Sequence, residues 1–357
     1  MGLFDHMLKS NESLFKNQDA LEYEFMPKIF LYREQEQRKI ASVIAPLFQE
    51  KNGRNAFICG PPGIGKTLAM RKVIDELEEK TDDIRPLYIN CWNKNTTYKI
   101  LLDMCDQLDF KFTQNKRTEE LFKVVKQLMN KKSAVFIFDE IDKVEDFDFL
   151  YNIVEDIYKK SIILITNYKE WLSNLDERIR SRLLPEMIEF RQYTAQETEG
   201  ILKQRKDFAF HSGVWEDEAF KLVVNKTAEV KDIRTGLYLM KEAANLAEAK
   251  SFRKVTAAFA QEAIAKLQDF QSKDSDALGD DEQVILDMIK QHSGSKIGDL
   301  FRLYEEQGGK QTYKTFQRRI EKLEKGNFIS TQKTEGGKEG NTTIITYGKL
   351  KKLTDFK

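Results

Sequence analysis

The sequence has little cysteine or histidine, three residues of each among 357. Cys59, Cys91 and Cys105 share no short spacing, so neither a zinc site nor a disulfide scaffold is indicated. There is no N-terminal apolar run of signal length and no uncharged apolar stretch of about 18 residues. We therefore expect a cytoplasmic protein with no membrane partner. Net charge is also absent, because 58 basic residues balance 58 acidic ones, and any nucleic-acid signal must be local.

What the chain does contain is a phosphate-binding loop. Residues 60–67 read Gly-Pro-Pro-Gly-Ile-Gly-Lys-Thr and match the P-loop template at every fixed position. The apolar strand Ala56–Cys59 precedes the loop and a helical pattern, Leu68–Glu79, follows it. Lys66 would meet the β- and γ-phosphates, and Thr67 would bind Mg²⁺. The predicted nucleotide contacts are Gly60, Pro61, Pro62, Gly63, Ile64, Gly65, Lys66, Thr67 and Leu68.

Two further apolar strands end in polar residues. One leads into Asp139 and Glu140, and the other leads into Asn167. Asp139 stands where a carboxylate would hold the Mg²⁺ shell, and Glu140 where one would orient and polarise the attacking water. In sheets of this type the strand that ends in Asn167 lies beside the acidic one. Its amide would help to hold the water or the γ-phosphate; the alternative is a plain turn residue.

The order of elements predicts the domains. Short apolar strands alternate with helices up to Phe190, which indicates a parallel sheet covered on both faces, and only helical patterns follow. The strands are expected at Ala56–Cys59, Leu87–Asn90, Ser133–Phe138, Ser161–Thr166 and Met187–Phe190. The predicted domains are a nucleotide-binding core with its N-terminal leader at 1–192, a helical lid at 193–270, a polar linker at 271–281 and a further domain at 282–357.

The C-terminal domain has three helical patterns and then two strands, the order of a winged helix. From Lys310 to Lys357 there are twelve Lys and Arg against five Asp and Glu, so the balanced total conceals a basic tail. Cations on its third helix and on the hairpin tip suit phosphates and guanine edges in DNA grooves. Protein docking is the alternative role of a winged helix. The predicted DNA-binding residues are Lys314, Arg318, Arg319, Lys322, Lys338 and Asn341.

In this order the P-loop, the acidic strand end, the Asn-ended strand, Ser-Arg-Leu at 181–183 and the helical lid resemble the AAA+ ATPases. The resemblance implies an ATPase that uses ATP or ADP and Mg²⁺, with Glu140 and Asn167 in catalysis. It implies that Arg182 acts on a neighbouring subunit and that Arg234 in the lid touches the γ-phosphate of its own subunit. The implied fold is an α/β P-loop AAA+ core with a parallel sheet, an all-α lid and a C-terminal winged-helix domain.

The segment before the core narrows the resemblance. Ser13 to Leu21, then Pro27, then Tyr32-Arg33-Glu34 resemble the leader of the archaeal origin-recognition proteins, the Orc/Cdc-type relatives of the eukaryotic origin recognition complex subunits and their helicase-loading partner. That family places Tyr32 and Arg33 beside the adenine. It implies a slow, switch-like ATPase of the nucleoid that recognises double-stranded origin DNA. It also implies recruitment or loading of the replicative minichromosome maintenance helicase, with other copies or paralogues on the DNA.

Two other functions fit parts of the sequence. A STAND-like signalling ATPase would share the AAA+ motifs and would use its winged helix to dock a protein. A helicase loader encoded by a mobile element would share the whole architecture and differ in its genomic neighbours. The leader argues against the first function, and the modest length of the chain, 357 residues, leaves the second open.

Overall fold

The described part of the chain alternates strands and helices up to residue 190, is helical from there to Gln291, and contains three short strands among the helices that follow. The computed structural model describes residues 13–27, 29–276, 280–306, 308–309, 311–325, 328–334 and 342–347. Contacts divide the chain into two compact units, with the division between Ile264 and Ala265. Among the described helices, none is long and apolar enough to cross a membrane.

Every predicted strand of the first unit is present. The strands are β1 (Ala56–Cys59), β2 (Ile84–Asn90), β3 (Ser133–Asp139), β4 (Lys160–Thr166) and β5 (Glu186–Glu189). The core helices are α1 (Glu34–Ile44), α2 (Lys66–Lys80), α3 (Thr97–Gln107), α4 (Thr118–Met129), α5 (Asp148–Asp156) and α6 (Glu177–Leu183). β2 begins three residues before its predicted start, across Pro86. A proline is tolerated there because β2 lies at the edge of the sheet.

The five strands form one parallel sheet in the order β2-β3-β4-β1-β5. β3 is buried at every residue. Phe136 packs into the apolar cluster on one face and Ile137 into the cluster on the other, because successive strand residues face opposite sides. Asp139 pairs with Ile165 on β4, so Asp139 and Asn167 come to the same edge of the sheet. The predicted neighbourhood of these two strands is confirmed.

The lid consists of α7 (Ala195–Ala209), α8 (Asp217–Val230), α9 (Ile233–Ala249) and the first part of α10 (Ala257–Asp276). Two caps fix where its helices start. Thr194 and Glu197 form a capping box at the start of α7, and the Asp232 side chain accepts the Arg234 backbone N–H at 2.9 Å. The second cap places Arg234 in the first turn of α9.

The described leader, residues 13–27, is attached to the lid. The backbone N–H groups of Lys16 and Asn17 donate to the Ala209 carbonyl, at 2.8 and 3.1 Å. The Leu14 N–H donates to Glu248 Oε1 at 2.6 Å, and the ring centroids of Phe15 and Phe210 lie 5.0 Å apart. Leader and lid therefore form one packed body within the first unit.

The second unit has the topology of a winged helix. Its elements are α11 (Asp280–Gln291), β6 (Ser295–Lys296), α12 (Ile297–Glu306), α13 (Tyr313–Lys325), β7 (Ile329–Thr334) and β8 (Thr342–Tyr347). The strands form an antiparallel sheet in the order β6-β8-β7, over a core that includes Leu286, Phe316 and Ile320. Two features differ from expectation. β6 was not predicted, and α10 continues to Asp276, so the first part of the predicted linker 271–281 is helical.

Candidate active site

The P-loop connects β1 to α2, and two of its glycines have left-handed backbone angles. Gly65 caps α2 with φ 87°, and Gly63 has φ 72°. A β-carbon on Gly63 would lie 1.9 Å from Asp232 Oδ1. Because Asp232 caps the lid helix α9, this close approach joins the loop to the lid. α2 begins at Lys66, two residues before its predicted start, so its first turn offers backbone N–H groups at the loop.

The Lys66 ammonium joins the loop to the end of β4. Its Nζ donates to the carbonyl oxygens of Gly60 and Pro61, both at 2.8 Å, and to Asn167 Oδ1 at 2.7 Å. Lys66 is 8% exposed. Burial lowers the pKa of Lys66 from 10.5 to about 8, although the charge of Asp139 acts in the opposite direction. The anionic oxygens of a triphosphate would favour the charged ammonium.

Both carboxylate oxygens of Asp139 accept hydrogen bonds. The hydroxyls of Thr67 and Tyr88 donate to Oδ2, at 2.6 and 2.7 Å, and the Glu140 backbone N–H donates to Oδ1 at 3.0 Å. Asp139 is 4% exposed. The Thr67 hydroxyl and the Asp139 carboxylate thus lie together as the hard oxygen ligands that Mg²⁺ prefers, and the predicted metal pair fits the ion. Bound Mg²⁺ would neutralise charge that develops on the phosphates.

Glu140 follows with a left-handed backbone, φ 56°. Its pKa is raised, first by burial and then by the charges of Asp139 and Asp142. A carboxylate whose pKa is raised accepts a proton more readily near neutral pH, which suits a residue that polarises water. Glu140 and Asn167 line the same cavity as Lys66.

That cavity has a volume of about 270 Å³ and is shared by core, lid and leader. The lid contributes Ile201, Gln204, Arg205, Ile233, Arg234 and Leu237. The leader and the residues just after it contribute Tyr23, Glu24, Pro27, Phe30 and Leu31. A ligand that fills the cavity contacts all three parts, so its chemistry can set how the lid packs on the core.

The predicted P-loop contacts occupy three kinds of place. Gly63, Ile64, Gly65, Lys66, Thr67 and Leu68 line the cavity. Gly60 and Pro61 instead direct their carbonyl oxygens at the Lys66 ammonium. Pro62 is exposed. The start of the loop therefore orients the Lys66 ammonium, and the rest of the loop forms part of the cavity wall.

Tyr32 and Arg33 differ from the prediction, since the described lining of the cavity does not include either residue. Arg33 is fully buried behind the P-loop, where its Nε donates to the Ile64 carbonyl at 3.2 Å and Nη2 donates to the Arg191 carbonyl at 2.6 Å. Tyr32 has φ 65°, and its hydroxyl lies 2.2 Å from where a β-carbon on Gly200 would be. Arg33 thus supports the loop from outside the cavity.

The two predicted arginines lie in different surroundings. Arg234 lines the cavity, and its side chain is 52% exposed. Arg182 lies in the last turn of α6, where it pairs with Glu155 and donates to the Arg178 carbonyl at 3.1 Å. Neither Arg182 nor these two partners, Glu155 and Arg178, are part of the described lining of the cavity in the same subunit. Its action on a neighbouring subunit stays a prediction.

Sequence reasoning missed Arg71, Tyr88 and Arg205, which also line the cavity. Arg71 lies 5.6 Å from the Tyr88 ring centroid and stands four residues after Thr67, on the same face of α2. Arg205 is 4% exposed, and burial lowers its pKa to about 10. The spacing of Arg71 and the hydroxyl of Tyr88 between the apolar Leu87 and Ile89 were available signals. Nothing local distinguishes Arg205 from the other cations of α7.

The predicted DNA-binding residues that can be located lie on α13. Lys314, Arg318 and Lys322 are exposed and Arg319 is half-buried. Arg319 and Lys322 both form ion pairs with Glu282 on α11. Lys338 and Asn341 lie outside the described residues. The four located cations are therefore not equivalent.

Two family models match the first unit. A model for an AAA domain matches residues 49–172, and a model for a Cdc6 AAA+ ATPase-type lid domain matches residues 199–265. These spans contain the P-loop and Asp139 in one match and Arg205 and Arg234 in the other.

Similar proteins extend along the chain. ORC1-type DNA replication protein 1 of Sulfurisphaera tokodaii is 32% identical over 269 residues, which cover 71% of this chain and 68% of the relative. ORC1-type DNA replication protein 2 of Methanosarcina mazei is 27% identical and covers 94% and 93%. The Aeropyrum pernix ORC1 protein in complex with DNA superposes with a TM-score of 0.70 at 23% identity, covering 96% and 95%. At that identity the structural likeness concerns the fold.

Nucleotide binding is expected to take up protons at and above pH 8. The pKa of Lys66 is about 8, so at pH 8 Lys66 is neutral in about half of the free protein molecules. A bound triphosphate favours the charged form. Uptake should grow as the pH rises further and fade at neutral pH, where Lys66 is already protonated. Calorimetric titration with ATP in buffers of different ionisation enthalpy measures it. Lys72→Met is the control on the same helix, and a buffer-independent enthalpy above pH 8 would contradict the expectation.

Tyr88→Phe is expected to weaken the Mg²⁺ dependence of nucleotide binding without removing nucleotide binding. The Tyr88 phenol donates to Asp139 and orients it. Losing part of the free energy of this hydrogen bond to a charged group should raise the half-saturating Mg²⁺ concentration about 3- to 10-fold. Binding of a fluorescent ATP analogue, titrated with Mg²⁺ and repeated in EDTA, measures both effects. Tyr168→Phe, at a tyrosine that is 55% exposed, is the control. Superimposable Mg²⁺ titrations of Tyr88→Phe and the native protein would refute this role.

Proposed function

The chain belongs to the ORC1-type DNA replication proteins and is an AAA+ ATPase, and we propose that it is an initiator that recognises double-stranded origin DNA under the control of ATP. In this proposal it helps to recruit or load the replicative minichromosome maintenance helicase. It acts on the nucleoid together with other copies or paralogues bound to the same DNA.

The cavity shared by core, lid and leader carries this proposal. Lys66 and Asn167 come from the core and Arg234 from the lid. ATP would place its γ-phosphate among these three residues, whereas ADP has no such group to hold lid and core together. Because a ligand shifts a conformational equilibrium only through differential contacts, these are the groups able to distinguish the two nucleotides.

The catalytic roles follow from the chemistry of the side chains. Thr67 and Asp139 would hold Mg²⁺, and Glu140, with its raised pKa, would orient and polarise the attacking water. Asn167 would hold the water or the γ-phosphate beside Lys66. With Arg182 paired to Glu155 and outside its own cavity, a lone subunit would hydrolyse ATP slowly. Hydrolysis then reports assembly with a neighbour.

DNA recognition is assigned to the winged helix. α13 presents Lys314 and Arg318 as exposed cations, which suits contact with backbone phosphates or base edges in a major groove. The Aeropyrum pernix ORC1 protein, whose fold this chain shares, was solved in complex with DNA. This supports DNA as a partner of the present chain.

Complementation between two inactive variants tests the proposal. Arg182→Ala should lower hydrolysis of ATP on duplex DNA about 10³-fold or more, the usual effect of removing a trans arginine, while ATP binding persists. Lys66→Ala should fail to bind ATP and still offer Arg182 to its neighbour. A mixture of the two variants on origin duplex should therefore recover hydrolysis that neither has alone. Phosphate release measures the rate.

Arg178→Ala is the matched control, because Arg178 lies on the same helix and pairs with Asp176 at 3.0 Å. It should hydrolyse ATP at the native rate. A native rate for Arg182→Ala, or a mixture that stays inactive on DNA, would contradict the shared site. Failure of the native chain to bind any duplex would favour a winged helix that docks a protein.

A further inference from the structure

A buried carboxylate in the second unit holds two cations of α13. Glu282, on α11, is 1% exposed. Arg319 Nη1 donates to Glu282 Oε1 at 2.6 Å, and Lys322 Nζ donates to Oε1 at 2.7 Å and to Oε2 at 2.9 Å. Arg319 Nη2 also donates to Asp281 Oδ2 at 3.3 Å. Of the four cations on this helix whose side chains the structure describes, two are thus engaged inside the domain.

The other two cations lie on a different face of the helix. Lys314 and Arg318 are four residues apart and therefore neighbours on one face. At 100° per residue, that face is opposite the buried side formed by Phe316, Ile320 and Leu323. Arg319 and Lys322 lie to one side of it, toward α11. Of these four described cations, only the outer pair can meet a phosphate without giving up an ion pair to Glu282.

Moving Arg319 or Lys322 to DNA carries a penalty. A buried carboxylate that loses its partners is strongly disfavoured, because the interior does not replace the water that the charge has lost. A phosphate would have to compensate both for that loss and for its own dehydration. The ion pairs therefore persist while α13 contacts DNA through its outer face.

We propose that Glu282 restrains the sequence-independent attraction of α13 to DNA by holding Arg319 and Lys322 away from phosphates. The proposal rests on the DNA binding proposed above and deepens it. Lys314 and Arg318, on the outer face, supply charge to the DNA backbone. Because phosphate contacts carry no sequence information, a restrained electrostatic contribution leaves a larger share of binding to base edges and groove shape.

The salt dependence of DNA affinity tests the proposal. Glu282→Gln keeps the shape and a hydrogen-bond acceptor but removes the charge that holds the two cations. The slope of log affinity against log salt, measured with the full chain and a fluorescent mixed-sequence duplex, should steepen by about 1 to 2. Affinity at about 0.1 M salt should rise about tenfold or more. Glu321→Gln, which removes an exposed charge from the same helix, should leave the slope nearly unchanged.

The outer pair supplies the second variant. Lys314→Ala with Arg318→Ala should make the slope shallower by about 2, and thermal unfolding should be unaffected because both side chains are exposed. If Glu282→Gln fails to fold, this double variant decides, and a native slope would overturn the proposal. An unchanged slope in folded Glu282→Gln overturns it as well. If the native chain itself binds no duplex, the proposed function fails, and the restraint by Glu282 fails with it.

Discussion

The buried ammonium of Lys66 organises the nucleotide site. A parallel sheet brings the ends of β1, β3 and β4 to one edge, and Lys66 connects two of these ends by donating to Gly60, Pro61 and Asn167. Burial lowers the pKa of Lys66 to about 8, and these neutral acceptors compensate the buried charge only in part. Anionic phosphate oxygens relieve that cost, and the electrostatics of the site therefore favour a polyphosphate.

The lid meets the same loop through a contact that tolerates only glycine. Asp232 approaches Gly63 so closely that a β-carbon would clash, and the same carboxylate caps the turn that carries Arg234. The leader is hydrogen-bonded to the lid through Ala209 and Glu248, and it also lines the cavity. Movement of the lid would consequently carry the leader with it. Through these contacts a bound nucleotide can affect the position of the lid and the leader as well as that of the P-loop.

Local patterns predicted most of the fold and the catalytic edge. The P-loop, Asp139 and Asn167 each follow an apolar strand, so adjacent residues suffice to place them. Long-range packing decided the rest. Arg33 donates a hydrogen bond to the Arg191 carbonyl, 158 residues away, and the residues next to Arg33 in the sequence do not indicate that it is buried. The same holds for Arg319 and Lys322, whose engagement depends on how α11 packs against α13, and for the two-residue β6, which is too short to show a period.

Nucleotide control is tested most directly by the affinity of the full chain for origin duplex, measured at one salt concentration with a non-hydrolysable ATP analogue and with ADP. Binding free energies are reciprocal, so DNA must change the preference between the two nucleotides by the same factor. We expect the two DNA affinities to differ about fivefold or more in the native chain and to converge in Arg234→Ala. Equal DNA affinities in the two nucleotides, in the native chain, would contradict control by the shared cavity.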